Sequence, residues 1–425
     1  MALSVIPHII DQHAEEAAFL WQLRHSAVDA PHYDLTDLIK LDNRVAAHLD
    51  GLSIAGDYGA RVCEMAMENP GPGEVFVSAV RALEEKNNQW LDHLFALVDA
   101  EPNLQTGLLS AFGWVSASRL QGTVAMLLAS HDALKQLIGI EACVMHRVDP
   151  GKSLNHILMQ PTDSELCARA LRAAAELGRV DLLSACDRYL DDQGEKCSFW
   201  AAWSTVLLGN RKKALDILYA LAQTQNPYQE QSLKLILKLL PVPDAHALLK
   251  TLAQDPISLR LVIQGAGIVG DPYYVPWLIK QMDDPQVARL AGESFSFITG
   301  LDLAYLDLEK DAPDEMLSGP NDNPAESDVS IDKDEDLAWP DASKIQVWWD
   351  ANKLNFINGQ RYFMAGQVSR EHCIETLNVG YQRQRHAAAL YLSILNPKTG
   401  LFPISAPGWR QKRWLGKITN EAYAA

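Results

Sequence analysis

Apolar residues recur at helical spacing along most of the chain, and short polar breaks interrupt them. Residues 15–28 (EEAAFLWQLRHSAV) and 35–52 (LTDLIKLDNRVAAHLDGL) carry apolar side chains three and four positions apart, which predicts amphipathic helices. From the middle of the chain onward the breaks become periodic. They fall at HRVDPG (146–151), LGRVD (177–181), LGNRKK (208–213), LPVPD (240–244), VGDP (269–272) and ITGLD (298–302), with first residues 31, 31, 32, 29 and 29 apart. A period near thirty predicts helix pairs, each too small to bury its apolar faces alone and stable only against its neighbours.

Three registers align closely. Asp163 is followed by Arg169 and Gly178, Asp255 by Arg260 and Gly270, and Asp284 by Arg289 and Gly300. The Asp caps the second helix of a pair, twice with Pro after it. The Arg reaches carboxylates or carbonyls of a neighbouring repeat. Gly ends the helix where the backbone turns left-handed. Small residues such as Ala170, Ala173 and Ala174 allow close helix approach. These features, carried best by GDPYYVPWLIKQMDDPQVARLAGESFSFITG (270–300), resemble HEAT repeats. The fold expected is all-α: an α-solenoid of HEAT-like hairpins over 106–306, preceded by an N-terminal helical cap at 1–105.

Composition then shifts. Asp307 to Asp336 holds twelve acidic residues against two Lys, with Pro313, Pro320 and Pro324 among them, so residues 307–342 read as an acidic loop or linker. Asp332, Asp334 and Asp336 alternate as in a calcium loop. Leu337 stands where that loop needs Gly and Ser343 where it needs a bidentate Glu, which argues against calcium. Residues 343–425 form a basic, Trp-rich helical module. Its basic and aromatic content admits nucleic acid as one reading. The other is a module packed back on an acidic body, its tryptophans buried and charge neutralised.

The whole chain has 425 residues and a formal charge of −17, which weighs against a large nucleic-acid footprint. Six cysteines without a C-x-x-C pair read as buried free thiols of a cytoplasmic protein. The N-terminal stretch lacks signal-peptide character and no window reads as a membrane span. Gly151-Lys152-Ser153 lacks the rest of a phosphate loop. Gly265-Ala-Gly267-Ile-Val-Gly270 falls at the end of a repeat helix, where it serves packing and capping better than a dinucleotide. His13 with Glu16 reads as a polar helix face, and no metal, cofactor or catalytic set emerges.

Several segments together, among them QHAEEAAFLW (12–21), HRVDPG (146–151), SFWAAWSTVLLGN (198–210), QGAGIVGDP (264–272), DEDLAWPD (334–341) and VWWDANKLNFINGQRYF (347–363), resemble a family of uncharacterised proteobacterial HEAT-like repeat proteins. Genes of that family often stand beside type VI secretion genes, and the resemblance implies a role in effector handling or apparatus assembly. It carries over no activity. The expectation is a non-catalytic scaffold that binds a partner protein, possibly a type VI effector, as chaperone, adaptor or immunity protein. The alternative is an enzyme on a helical-repeat scaffold, such as a nucleic-acid base-excision enzyme, which requires a positive groove around an isolated carboxylate. Exposed aromatic residues are the anchors a partner would use, and Tyr273, Tyr274, Trp348 and Trp349 are the candidates.

Overall fold

The computed structural model describes residues 5–161, 163–192, 194–313, 332 and 334–424. Among them every regular element is helical: 22 α-helices and short 3-10 turns, with two isolated β-bridges, Glu309 to Pro340 and Phe363 to Gly366. The chain is thus all-α, and none of its described helices is long and apolar enough to cross a membrane. Most of the acidic insertion (314–331 and 333) lies outside the described residues.

Contacts divide the chain into two units, residues 1–214 with 377–425, and residues 215–376. The stretches 106–306 and 343–425 each contribute residues to both units.

In the first unit one row of helices packs successively, and from Pro72–Glu85 onward it takes every second helix. Pro7–Ala27 contacts Pro72–Glu85, which contacts Gln105–Trp114, then Ala133–Met145, Ser164–Glu176 and Glu195–Leu207 in turn. Trp21 stacks on Phe76 at 5.5 Å and Phe76 meets Trp114 edge-on at 5.6 Å, so aromatic rings run between layers. In Ser164–Glu176 the fully buried Ala170, Ala173 and Ala174 give the flanking helices room to come close. The second unit repeats the scheme: Gln229–Leu239 packs on Leu259–Val269, and that on Ala288–Thr299.

The register residues have distinct partners. Asp163 accepts the Leu166 N–H, Asp255 that of Ile257 and Asp284 that of Gln286. Arg169 bonds Glu141 of the preceding helix of the row and lies 2.8 Å from Glu176. Arg260 and Arg289 turn to the acidic insertion instead. Arg260 donates to the Asp334 carboxylate at 2.7 Å. Arg289 donates to the Asp334 carbonyl at 2.9 Å, bonds Asp332, and lies 4.6 Å over the Trp339 ring. Asp332 and Asp334, weighed above as part of a calcium loop, are therefore arginine ligands. The described residues hold no group suited to a metal ion. At its base the insertion is closed by Lys310 N–H to the Trp339 carbonyl (2.8 Å) and Asp341 N–H to the Leu308 carbonyl (2.9 Å).

The basic C-terminal stretch meets helix ends. An α-helix leaves its last carbonyls without partners, at the negative end of its dipole. In the second unit Arg361 donates to the carbonyls of Val269 (3.2 Å), Leu240 (2.8 Å) and Lys238. The Tyr362 N–H donates to Gly270 at 2.8 Å, and the Met364 N–H to Phe297 at 2.7 Å. In the first unit Arg410 donates to Gly113 (2.6 Å), Trp114 (3.3 Å) and Val115 (3.1 Å). The Leu401 N–H there donates to Glu176 at 3.0 Å. Buried Arg385 donates to Leu377 (2.8 Å) and to the side chains of Gln382 and Gln411, and burial lowers its pKa to about 10. The sequence suggested neutralisation of acidic side chains, but these three arginines are bound to carbonyl and amide oxygens.

Two predictions follow from this capping. Gly270 ends its helix at φ +72°, and a methyl group there would overlap the Tyr362 carbonyl. Gly270→Ala should therefore cost about 2–4 kcal/mol, read as a lowered urea midpoint. Lys238 is buried; burial, then Lys234 and Arg361, lower its pKa to about 7. The unfolded chain then binds the extra proton between that value and the ordinary lysine range, so this group's contribution to stability rises with pH across the window. Subtracting the unfolding free energies of Lys238→Met from wild type between pH 7 and 10 should leave a positive slope of up to about 1.4 kcal/mol per pH unit.

Candidate functional site

The second unit carries a groove of about 1120 Å³. Three segments build its walls. The helix Val242–Leu252, opened by Pro243 in its first turn, presents His246 and Lys250, one helical turn apart. The turn Pro272–Tyr274, capped by Asp271, presents Tyr273 and Tyr274, and the following helix Val275–Gln281 adds Trp277. Trp349, from the helix Ala342–Asn352, and Phe356 complete the lining.

Asp271 holds these parts in place. It is 1% exposed. Its Oδ1 accepts the N–H of Tyr273 at 3.0 Å and that of Gly359 at 3.0 Å. Its Oδ2 lies 3.1 Å from His246 Nε2, near enough for an ion pair but off the line of a hydrogen bond. The imidazole meets Tyr274 edge-on at 4.7 Å and lies tilted to Tyr273 at 5.2 Å. One carboxylate thereby ties the tyrosine turn to the loop after Phe356 and stands against the His246 helix. Burial, with Asp271 and Tyr273 adding to it, pushes the Tyr274 phenol up, so it stays a neutral donor.

Of the four aromatic candidates the structure brings three together here. Tyr273 is 62% exposed, Tyr274 is half-buried, and Trp349 is buried at 6% exposure as part of the groove's inner lining. Trp348 lies apart, edge-on to Phe295 at 6.0 Å, among the residues packed on the core. His246, Lys250 and Trp277 were not singled out from the sequence. The repeat period was the available signal: Ala247 and Trp277 stand thirty residues apart, as do Pro243 and Tyr273.

Other chemistry is accounted for locally. All six cysteines are free and buried. Burial lifts the Cys63 thiol to about 11, which keeps it protonated at neutral pH. Gly265 and Gly267 lie inside the helix Leu259–Val269, and Gly270 caps it. His13 meets His48 through their Nδ1 atoms at 3.1 Å. No protein-family model, curated protein or solved structure matches this chain.

The exposures separate the groove's mouth from its support. Tyr273→Ala should change stability by no more than about 0.5 kcal/mol. Trp349→Ala should cost about 3–5 kcal/mol, because it opens a cavity against buried neighbours. Urea unfolding followed by far-UV circular dichroism measures both.

Proposed function

We propose that the chain is a non-catalytic interaction scaffold, a HEAT-like α-solenoid that holds a partner protein. The solenoid reading is supported by the period near thirty residues and by rows in which, from Pro72–Glu85 onward, alternate helices pack on one another. The observation that carries the functional reading is Tyr273, largely exposed at a groove walled by further aromatic rings and fixed by a buried carboxylate. Aromatic side chains held rigid at low entropic cost are what binding hot spots use. The resemblance to repeat proteins encoded beside type VI secretion genes supports a cytoplasmic role with a secreted effector, as chaperone, adaptor or immunity protein.

A second reading, an enzyme acting on nucleic-acid bases, draws on the same groove. Its lining carries Lys250 and Lys353, and the buried carboxylate of Asp271 stands behind His246. The chemistry favours the scaffold. Asp271 is buried and already accepts two backbone N–H groups. Lys353 is shared with Asp350 at 2.9 Å, which leaves few free charges for phosphates.

Affinity capture with the full-length chain from its host, followed by mass spectrometry, tests the reading. A neighbour-encoded effector should be recovered, and Tyr273→Ala should reduce its recovery about tenfold. Recovery of DNA or RNA in place of protein would reverse the ranking.

A further inference from the structure

Given that the groove of the second unit is a protein-binding site, its chemistry narrows what it can hold. The rings of Tyr273 and Tyr274 stand at 79° to each other, and those of Tyr274 and Trp277 at 66°. At centroid separations of 5.4 and 6.5 Å these rings touch edge to face, and each pair forms a corner bounded by an aromatic face. Aromatic faces lining a groove are the surface against which proline rings pack.

The polar lining includes donors. Trp277 carries an indole N–H, Lys250 an ammonium group that no carboxylate in the lining neutralises, and Tyr273 a phenol. Among the described residues that line the groove there is no carboxylate. The occupant should therefore expose acceptors and carry negative charge. A bound helix has its carbonyls satisfied internally, and strand addition requires an open sheet edge, whereas the regular elements of the described residues are all helical. A polyproline II segment differs from both. Its carbonyls are all free, proline supplies no N–H, and its rings recur on one face every third residue.

We infer that the groove binds an extended, proline-rich segment of a partner protein, with prolines packed on the faces of Tyr273, Tyr274 and Trp277. Acidic residues flanking those prolines meet Lys250. The segment arrives in nearly its bound conformation, so little ordering entropy is lost on binding.

Fluorescence anisotropy with the full-length chain tests this. The probe is a fluorescein-labelled twelve-residue peptide with proline at every third position and glutamate at both flanks. Two control peptides replace proline by alanine, or glutamate by lysine. The parent peptide should bind saturably, and the alanine peptide about tenfold more weakly or worse. The lysine peptide should lose about fivefold or more, and Lys250→Glu in the protein should reverse the order of the two charged peptides. Tyr273→Ala, which leaves the fold intact, should weaken the parent peptide about tenfold. Equal binding of all three peptides overturns the inference, as does failure to saturate at millimolar peptide. Tighter binding of a twelve-nucleotide single strand, lost in Tyr273→Ala, overturns it as well. The capture experiment separates the two levels. If the peptides fail while Tyr273→Ala still abolishes effector capture, the ligand class is wrong and the scaffold stands.

Discussion

A helix that stops inside a protein leaves carbonyl groups facing away from water, and each must find a donor. This chain is built from many short helices, so the constraint returns at every turn of the repeat. The C-terminal stretch answers it in both units. Arg361 gathers carbonyls from two helix ends and Arg410 gathers three at the end of one helix. Backbone N–H groups of Leu401, Tyr362 and Met364 take others. The guanidinium suits the task because it offers five donors in a fixed plane and stays charged even where burial lowers its pKa.

Capping also decides where glycine is required. Gly178 and Gly270 end their helices at positive φ, and at both the returning chain's backbone occupies the space a side chain would need. The same glycine thus meets two demands, a left-handed turn and a close approach. The groove depends on a related economy. Asp271, immediately after Gly270, caps the next turn, holds Gly359 and stands beside His246. The aromatic walls keep their angles because one buried carboxylate and the helix ends behind it are already satisfied.

Much of this architecture was legible. The helical period, the breaks and the Asp caps follow from local chemistry: a polar side chain that accepts an N–H, a proline that opens a turn, and a glycine that closes it. Three of the four aromatic candidates meet in one groove. The partners of the arginines were not legible. Arg169, Arg260 and Arg289 occupy equivalent places in the repeat, yet Arg169 bonds a neighbouring helix while the other two hold Asp332 and Asp334 across more than forty residues of sequence. Trp348 and Trp349 are adjacent in sequence, and a helix sends them to different surroundings.

The sequence by itself determined that the chain is helical, where its helices break, and that they must bury their faces against neighbours, because those properties reside in spacing and in the chemistry of single residues. Only the tertiary structure decided which carbonyls the basic stretch would cap, which acidic residues the arginines would hold, and that His246, Lys250 and Trp277 would join the tyrosines. Those outcomes depend on which distant segments come within hydrogen-bonding reach. The helical period carries no record of that, because it fixes each helix face and not the distant segment that comes to lie against it.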